Sequence, residues 1–223
     1  MNIVIQNKTY AAPPVCTKEI LRYAGCKQPD DGIAALLAEC MGEAEPMLSY
    51  HVCYATLPLT VQEDLCDFSA FRLASKHLAR QLQNCQSVLL FGATVGVGID
   101  RLIAKYGRLS PTKALLFQAI GTERIEALCD AFCADMAETL SMEQRPRFSP
   151  GYGDLPLTAQ QQIFSVLDCA KRIGLTLTHS QQMSPSKSVT AFVGLSEQGV
   201  STPNLSNKCS TCHMPDCRFR GAL

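Results

Sequence analysis

The run of apolar and polar positions divides the chain into short strands and amphipathic helices that follow no regular order. Ile3–Ile5 and Lys8–Tyr10 read as a hairpin-like pair of short strands, and Ala12-Pro13-Pro14 then breaks the chain. Thr17 is placed to cap a helix through Ile20, Leu21 and Tyr23 that ends at Gly25. Asp30 or Asp31 opens a second helix, with Ile33, Leu36, Leu37 and Cys40 at helical spacing and Gly42 as its stop. From Met47 to Leu59 the residues alternate roughly and are rich in β-formers, which predicts a long strand. Phe68 to Asn84 then reads as a helix, with Phe71, Leu73, Leu78 and Leu82 inward and Lys76, Arg80 and Gln83 outward.

In the second half, Ser87 to Thr94 is a buried strand ending in a glycine turn, and Val97 to Tyr106 forms a helix. Thr112 to about Leu140 is a long helical stretch, apolar at Leu115, Leu116, Ile120, Ile125, Leu128 and Phe132, with a break expected near Gly121. A helix from Thr158 to Ile173 is closed by Gly174, and strands over Leu175–His179 and Ser188–Gly194 complete the pattern. The polar stretch from Glu197 to Lys208 reads as a linker. The expected organisation is one domain over residues 1–196 and a linker with a cysteine-rich tail over 197–223. Because helices and strands do not alternate regularly, the class is α+β rather than a doubly wound sheet.

Composition narrows the partners. Lys+Arg and Asp+Glu are each 20, so no net field draws the chain to nucleic acid or to an anionic membrane. No apolar run is long enough to cross a bilayer, and Met1–Lys8 lacks the basic-then-apolar pattern of an export signal; the expected location is the cytoplasm. Of the 12 cysteines, most lie scattered inside apolar patterns and read as small core residues. Cys209, Cys212 and Cys217 differ, because they form C-x-x-C-x-x-x-x-C on a short tail containing Pro215. Two thiolates three apart chelate one ion from a tight turn, and the third closes over it. Zinc, with His213 or a distant fourth ligand, and an iron–sulfur cluster both suit that spacing.

Two loops are candidates for small-molecule chemistry. Gly92-Ala93-Thr94-Val95-Gly96-Val97-Gly98 follows a strand and opens a helix, a geometry that cradles phosphate. Its G-x-x-x-G-x-G spacing resembles that of short-chain dehydrogenases, but the one Tyr-x-x-x-Lys match, Tyr23 to Lys27, precedes it. Tight strand–helix packing is therefore the stronger reading. The other loop is Arg147-Phe148-Ser149-Pro150-Gly151-Tyr152-Gly153-Asp154-Leu155-Pro156. Pro150 fixes one torsion, and Gly151 and Gly153 permit angles closed to other residues. Held in that frame are the guanidinium of Arg147, whose fork matches a carboxylate, and the phenol of Tyr152. A structural loop whose Arg pairs with a local acid is the plain alternative. Asp130, on the apolar helix before this loop, either faces solvent or waits for a cation. His51, His77 and His179 stand alone and read as structural.

Taken in order, Asp130, Arg147-x-x-x-Gly151-Tyr152 and Met183-Ser184-Pro185-Ser186-Lys187-Ser188-Val189-Thr190-Ala191 resemble the activation domain of cobalamin-dependent methionine synthase, most strongly over residues 87–195. The resemblance implies a twisted antiparallel sheet with helices packed around it, in a stand-alone form of the domain. It also implies a methyltransferase component that binds S-adenosylmethionine and acts on a partner. Arg147 would take the ligand's carboxylate, Asp130 its ammonium, and the backbone at Phe148 its adenine edge. Gly151 would complete the binding loop, and Tyr152, as the catalytic-site residue, would face the upper side of a corrin. The cobalamin would be held by the partner, a methionine synthase or another corrinoid protein. The implied reaction is reductive methylation of cob(II)alamin; a non-catalytic binding module on the same fold is the alternative. The chain departs from the fused enzymes in three places. A second acidic ligand near the domain start is not assigned to a residue of this sequence, Glu197-Gln198-Gly199-Val200 stands where they carry an aromatic pair, and the cysteine tail is extra. An iron–sulfur cluster on that tail would make it an electron donor to the reaction.

Overall fold

Three long strands bury both of their faces, so the sheet they form must be covered by apolar layers on either side. The computed structural model describes residues 3–197. In chain order its elements are β1 (Gln6–Tyr10), α1 (Thr17–Tyr23), α2 (Asp31–Ala44), β2 (Tyr50–Pro58), β3 (Thr60–Gln62), β4 (Leu65–Asp67), β5 (Arg72–Ala74) and α3 (Lys76–Gln81). There follow β6 (Ser87–Thr94), α4 (Gly98–Leu109), α5 (Pro111–Leu140), β7 (Glu143–Gln144), α6 (Gln160–Leu167), α7 (Cys169–Ile173), β8 (Thr176–Leu177), β9 (Met183–Ser184) and β10 (Ser188–Ser196). The main sheet has five strands in the order β1-β2-β6-β10-β7, and every neighbouring pair is antiparallel. This is the α+β architecture expected from the irregular order of elements.

Alternation along each strand sends side chains to two cores. Val52 and Tyr54 on β2, Leu89 and Phe91 on β6, and Ala191 and Val193 on β10 meet Phe117, Ile120, Leu128 and Phe132 of α5 on one face. Cys53, Leu57, Val88, Leu90 and Phe192 meet Leu78, Ile163, Leu167 and Cys169 on the other. The first core is roofed by α1, α2, α4 and α5. The second is closed by α3, α6 and α7 and by a small sheet of β3, β4 and β5.

Several boundaries depart from the sequence reading. The first segment is not a hairpin: β1 is one strand, paired along the edge of β2 from Gln6–Tyr54 to Tyr10–Tyr50. Thr17 begins α1 without capping it, whereas Asp30 does cap α2 by accepting from the Ile33 amide at 2.8 Å. Gly42 does not stop α2, which runs on to Ala44, and the long strand starts at Tyr50 because Pro46 and Met47 form a 3-10 turn. The helix expected from Phe68 is first a strand, with Leu73 opposite Cys66; the helix itself starts only after Ser75, whose side chain caps the Leu78 amide. The helix expected over Thr158–Ile173 is split at Asp168, which is left-handed (φ 50°), into α6 and α7. The strand expected over Leu175–His179 shrinks to β8, while β10 extends to Ser196.

Gly121 does not break α5, which runs unbroken through 30 residues. The glycine serves close approach instead: a Cβ there would stand 2.8 Å from Lys187 Cγ and 3.0 Å from Ile99 Cγ1. Gly98, at the start of α4, is tighter still, since a Cβ would stand 2.0 Å from the Met47 carbonyl oxygen. Gly107, farther along α4, has nothing within 4 Å of the same position. The expected outcome is that Gly98→Ala lowers stability by about 1–3 kcal/mol through backbone overlap, while Gly107→Ala raises it by about 0.5–1 kcal/mol. Urea melts of the two variants check this pair of opposite signs.

Candidate functional site

The segment after α5 is held against the free side of β10 by its backbone. The Arg145 amide donates to Gly194 O at 2.8 Å, and Phe148 exchanges both backbone bonds with Phe192, at 2.9 and 2.8 Å. Gln81 Nε2 donates to Pro146 O at 2.9 Å. Beyond Phe148 the chain closes on itself: Tyr152 N donates to Ser149 O, Leu155 N to Tyr152 O, and Gly151 N to Leu155 O. Leu155 is buried in the second core, and Gly151 takes φ +90°, where glycine carries no steric penalty.

Asp154 fastens this loop to α3. Its carboxylate accepts from Ser75 Oγ at 2.5 Å, from the Lys76 amide at 2.7 Å and from the His77 amide at 3.2 Å. The Asp154 amide in turn donates to His77 Nδ1 at 3.2 Å. The Ser75 hydroxyl, ahead of the two amides, holds the Asp154 carboxyl well below the usual carboxylate range. Gly153 lets His77 lie flat on the loop, because a Cβ there would stand 2.6 Å from Nδ1. His77 is thus a structural partner, as its isolation in the sequence implied.

With the loop so fixed, Arg147 reaches α5. Its Nη1 donates to Asp130 Oδ1 at 2.5 Å and its Nη2 to Glu126 Oε2 at 2.8 Å. The Arg147 side chain is 24 % exposed, whereas that of Asp130 is 72 % exposed. Burial works against charge on this guanidinium, but the Cys129 sulfur and the Asp130 and Glu126 carboxylates outweigh it and hold its pKa above the ordinary arginine value. Asp130 is therefore neither idle on the surface nor alone. Glu126, one helical turn before it, completes the arrangement, and sequence reasoning passed it over. The four-residue spacing of two acids on one helix was the available signal.

The two acids also line a groove of about 640 Å³ between α1 and α5, with Pro13, Pro14, Glu19 and Tyr23 opposite and Ala127 and Ala131 on the floor. Its far wall is held from behind by Arg124, which is 1 % exposed. Arg124 Nη1 and Nη2 donate to the carbonyls of Pro13 and Pro14 at 2.5 and 2.7 Å, and Nε donates to Glu123 at 2.5 Å. Glu123 also accepts from the Cys16 amide at 2.9 Å, so one buried pair fixes the start of α1. Burial, then the Glu126 carboxylate, pushes the Tyr23 phenol up.

Phe148 and Tyr152 sit at the rim of the loop, with ring centroids 6.4 Å apart and Tyr152 65 % exposed. The Phe148 N–H is occupied by Phe192, so any backbone reading of an adenine edge falls to the second lone pair of its carbonyl. The glycine loop holds no phosphate cradle: the Met47 carbonyl fills the space at Gly98, and Asp100 in the first turn of α4 accepts from the Ser186 amide at 2.9 Å. Among the described residues no group of three His, Cys, Asp or Glu is placed to hold a metal ion. Cys209, Cys212 and Cys217 lie outside the described residues. Among the described residues, too, no helix is long and apolar enough to cross a membrane.

The model of the family described as vitamin B12 dependent methionine synthase, activation domain, matches residues 78–200, which is more than half of the chain. The chain belongs to that family. The match begins within α3 and takes in β6, α5, the Arg147 loop and β10, the elements that carry the loop and its acidic partners. Among solved structures, the MetH reactivation domain bound to AdoHcy is similar in fold, with a TM-score of 0.62 at 14 % identity over 89 % of this chain and 80 % of that one. No curated protein matches the sequence. In this activation domain the N-terminal wall of the groove, from Pro13 to Tyr23, precedes the matched segment.

The clamp at Asp154 has a defined acid response. A carboxyl whose folded pKa lies below its unfolded value of about 3.9 contributes stability above that value and loses it only as pH falls through the depressed folded value. Protection of the Lys76 and His77 amides is expected to persist at about pH 4 and to fall only in stronger acid. In Asp154→Ala it should already be at least about tenfold weaker near neutrality. Hydrogen exchange resolved to those amides makes the measurement.

Proposed function

We propose that this activation domain binds S-adenosylmethionine beside Arg147 and presents its methyl group to a cobalamin-bearing partner, a methionine synthase or a related corrinoid protein. The observation that carries the reading is the charge pattern of one guanidinium fork facing two carboxylates at the edge of a groove. The amino-acid head of the ligand has a carboxylate for the fork and an ammonium for the acids, and its sulfonium adds one positive charge. One cation and two anions leave a net single negative charge, the complement of that head. In the free protein the Arg147 ion pairs hold both halves of this receptor in place, so the head exchanges with a pre-formed pair instead of ordering loose side chains.

The chain's own part is binding and orientation. Arg147 and Asp130 fix the head, Glu126 faces the cationic side, and Phe148 and Gly151 shape the loop that carries them. Tyr152, exposed at the rim, offers a flat aromatic surface to the partner's macrocycle. The partner's reduced cobalt supplies the nucleophile when bound. Placing the methyl in line with it is what this domain contributes. The domain proper is taken as residues 1–196, and the tail over 197–223 as a separate module whose Cys209, Cys212 and Cys217 bind a metal centre that passes an electron to the reaction.

Titration calorimetry with S-adenosylmethionine tests the ligand. Arg147→Ala should bind about 10–100-fold more weakly, the loss of one charge-assisted contact of roughly 1.5–3 kcal/mol. Glu126→Gln should lose more affinity for S-adenosylmethionine than for its neutral thioether product. Absence of binding by the wild type would leave a non-catalytic module on the same fold. For the tail, anaerobic reconstitution is expected to load iron and sulfide on the wild type and not on Cys212→Ser, and zinc with no sulfide would remove the electron-donor role.

A further inference from the structure

On the sheet face opposite α5, two cysteines 116 positions apart in sequence meet: Cys53 Sγ lies 3.7 Å from Cys169 Sγ. Both are fully buried, one on β2 and one at the first position of α7. No third ligand accompanies them, since no group of three His, Cys, Asp or Glu among the described residues is placed for a metal. The strand beneath them carries Gly92, where a Cβ would stand 3.2 Å from Cys169 Sγ and 3.6 Å from Cys53 Sγ, so no side chain of β6 comes between the sulfurs. The helix bearing Cys169 is five residues long and is bracketed by two left-handed residues, Asp168 (φ 50°) and Gly174 (φ 66°). It is joined to the fold through a bend at each end and is the natural element to move.

We propose that Cys53 and Cys169 are a redox pair that oxidises to a disulfide joining β2 to α7. An S–S bond of about 2.05 Å asks the sulfurs to close by less than about 2 Å, a movement a single helical turn can make. Cys53 is the attacking sulfur. The neighbouring Cys169 thiol, and then the Gly92 amide and Arg172, pull the Cys53 thiol down against the effect of burial. Its partner Cys169 is pushed up, by the same contact first and by burial second. With a hydroperoxide as oxidant, the Cys53 thiolate attacks one peroxide oxygen, the O–O bond breaks, and hydroxide leaves to take up the released proton as water. The Cys169 sulfur then attacks the Cys53 sulfenic acid, the S–O bond breaks, and a second water leaves with the Cys169 proton. Two electrons pass from the sulfurs to the peroxide. Access to the buried pair comes through local opening of α7.

The test treats the folded full-length chain with stoichiometric hydrogen peroxide, blocks remaining thiols in denaturant, and maps peptides without reduction. The expected result is a Cys53 peptide linked to a Cys169 peptide, with the melting temperature of the oxidised protein raised by on the order of 10 °C, as a long closed loop implies. Cys53→Ser should abolish both changes; if that variant does not fold, the wild-type map decides alone. Recovery of both thiols free while the exposed Cys16 has reacted would overturn the proposal. So would a link that forms only after the chain is unfolded, or pairing of either cysteine with a different partner.

Discussion

A guanidinium shut away from water must find acceptors for its donors, and in this fold Arg124 finds them in three places at once. Its neighbour Glu123 takes Nε, and the carbonyls of Pro13 and Pro14 take the two terminal nitrogens. Prolines suit the task because they lack an N–H of their own to satisfy and keep the segment extended. Removing either partner would leave a charge buried without compensation, so the contact behaves as a requirement of the fold. The wall of the groove, the start of α1 and the roof over the first core all hang from it.

Two cross-links of different kinds therefore converge on the candidate site. The N-terminal wall is held to α5 by hydrogen bonds that link Pro13, Pro14 and Cys16 to a buried ion pair on that helix, Glu123 with Arg124, which solvent does not screen. The Arg147 loop is held to α5 by ion pairs whose acids are well exposed, and to α3 by the Asp154 clamp. The first is rigid and the second exchangeable. That division suits the charged ligand proposed above, with permanent walls and a contact at the rim that water and ligand can compete for.

The sequence made legible what depends on local pattern. Val88 to Phe91, apolar without interruption, reads as a doubly covered strand and is one. The glycines and prolines of Arg147–Pro156 mark a fixed loop, and Asp130 and Arg147 are both present at the site. What stayed hidden depends on partners far along the chain. Leu73, Leu78 and Leu82 fit a helix as well as a strand followed by a helix, and only the pairing of Leu73 with Cys66 decides between them. Asp168 carries no local sign that it will turn left-handed and divide a helix. Arg124 looks like any charge on a helix until Pro13 and Pro14, more than a hundred positions earlier, arrive beside it. Glu126 escapes notice because its meaning comes from Arg147, 21 positions later, and its spacing from Asp130 is only a partial sign.

The backbone of Arg145 to Phe148 has a second role that follows from its place beside β10. That strand is paired with β6 on one side, and on the other β7 covers only Leu195 and Ser196. The bonds from Arg145 to Gly194 and between Phe148 and Phe192 occupy the groups that would otherwise stand open along Ala191, Phe192, Val193 and Gly194. An apolar strand with a bare edge recruits strands from other molecules. Arg147 is thus carried on the very segment that seals the sheet. A lesion that frees this loop would do more than scatter the groups around Arg147: it would bare a strand edge through which one copy of the domain could add to another.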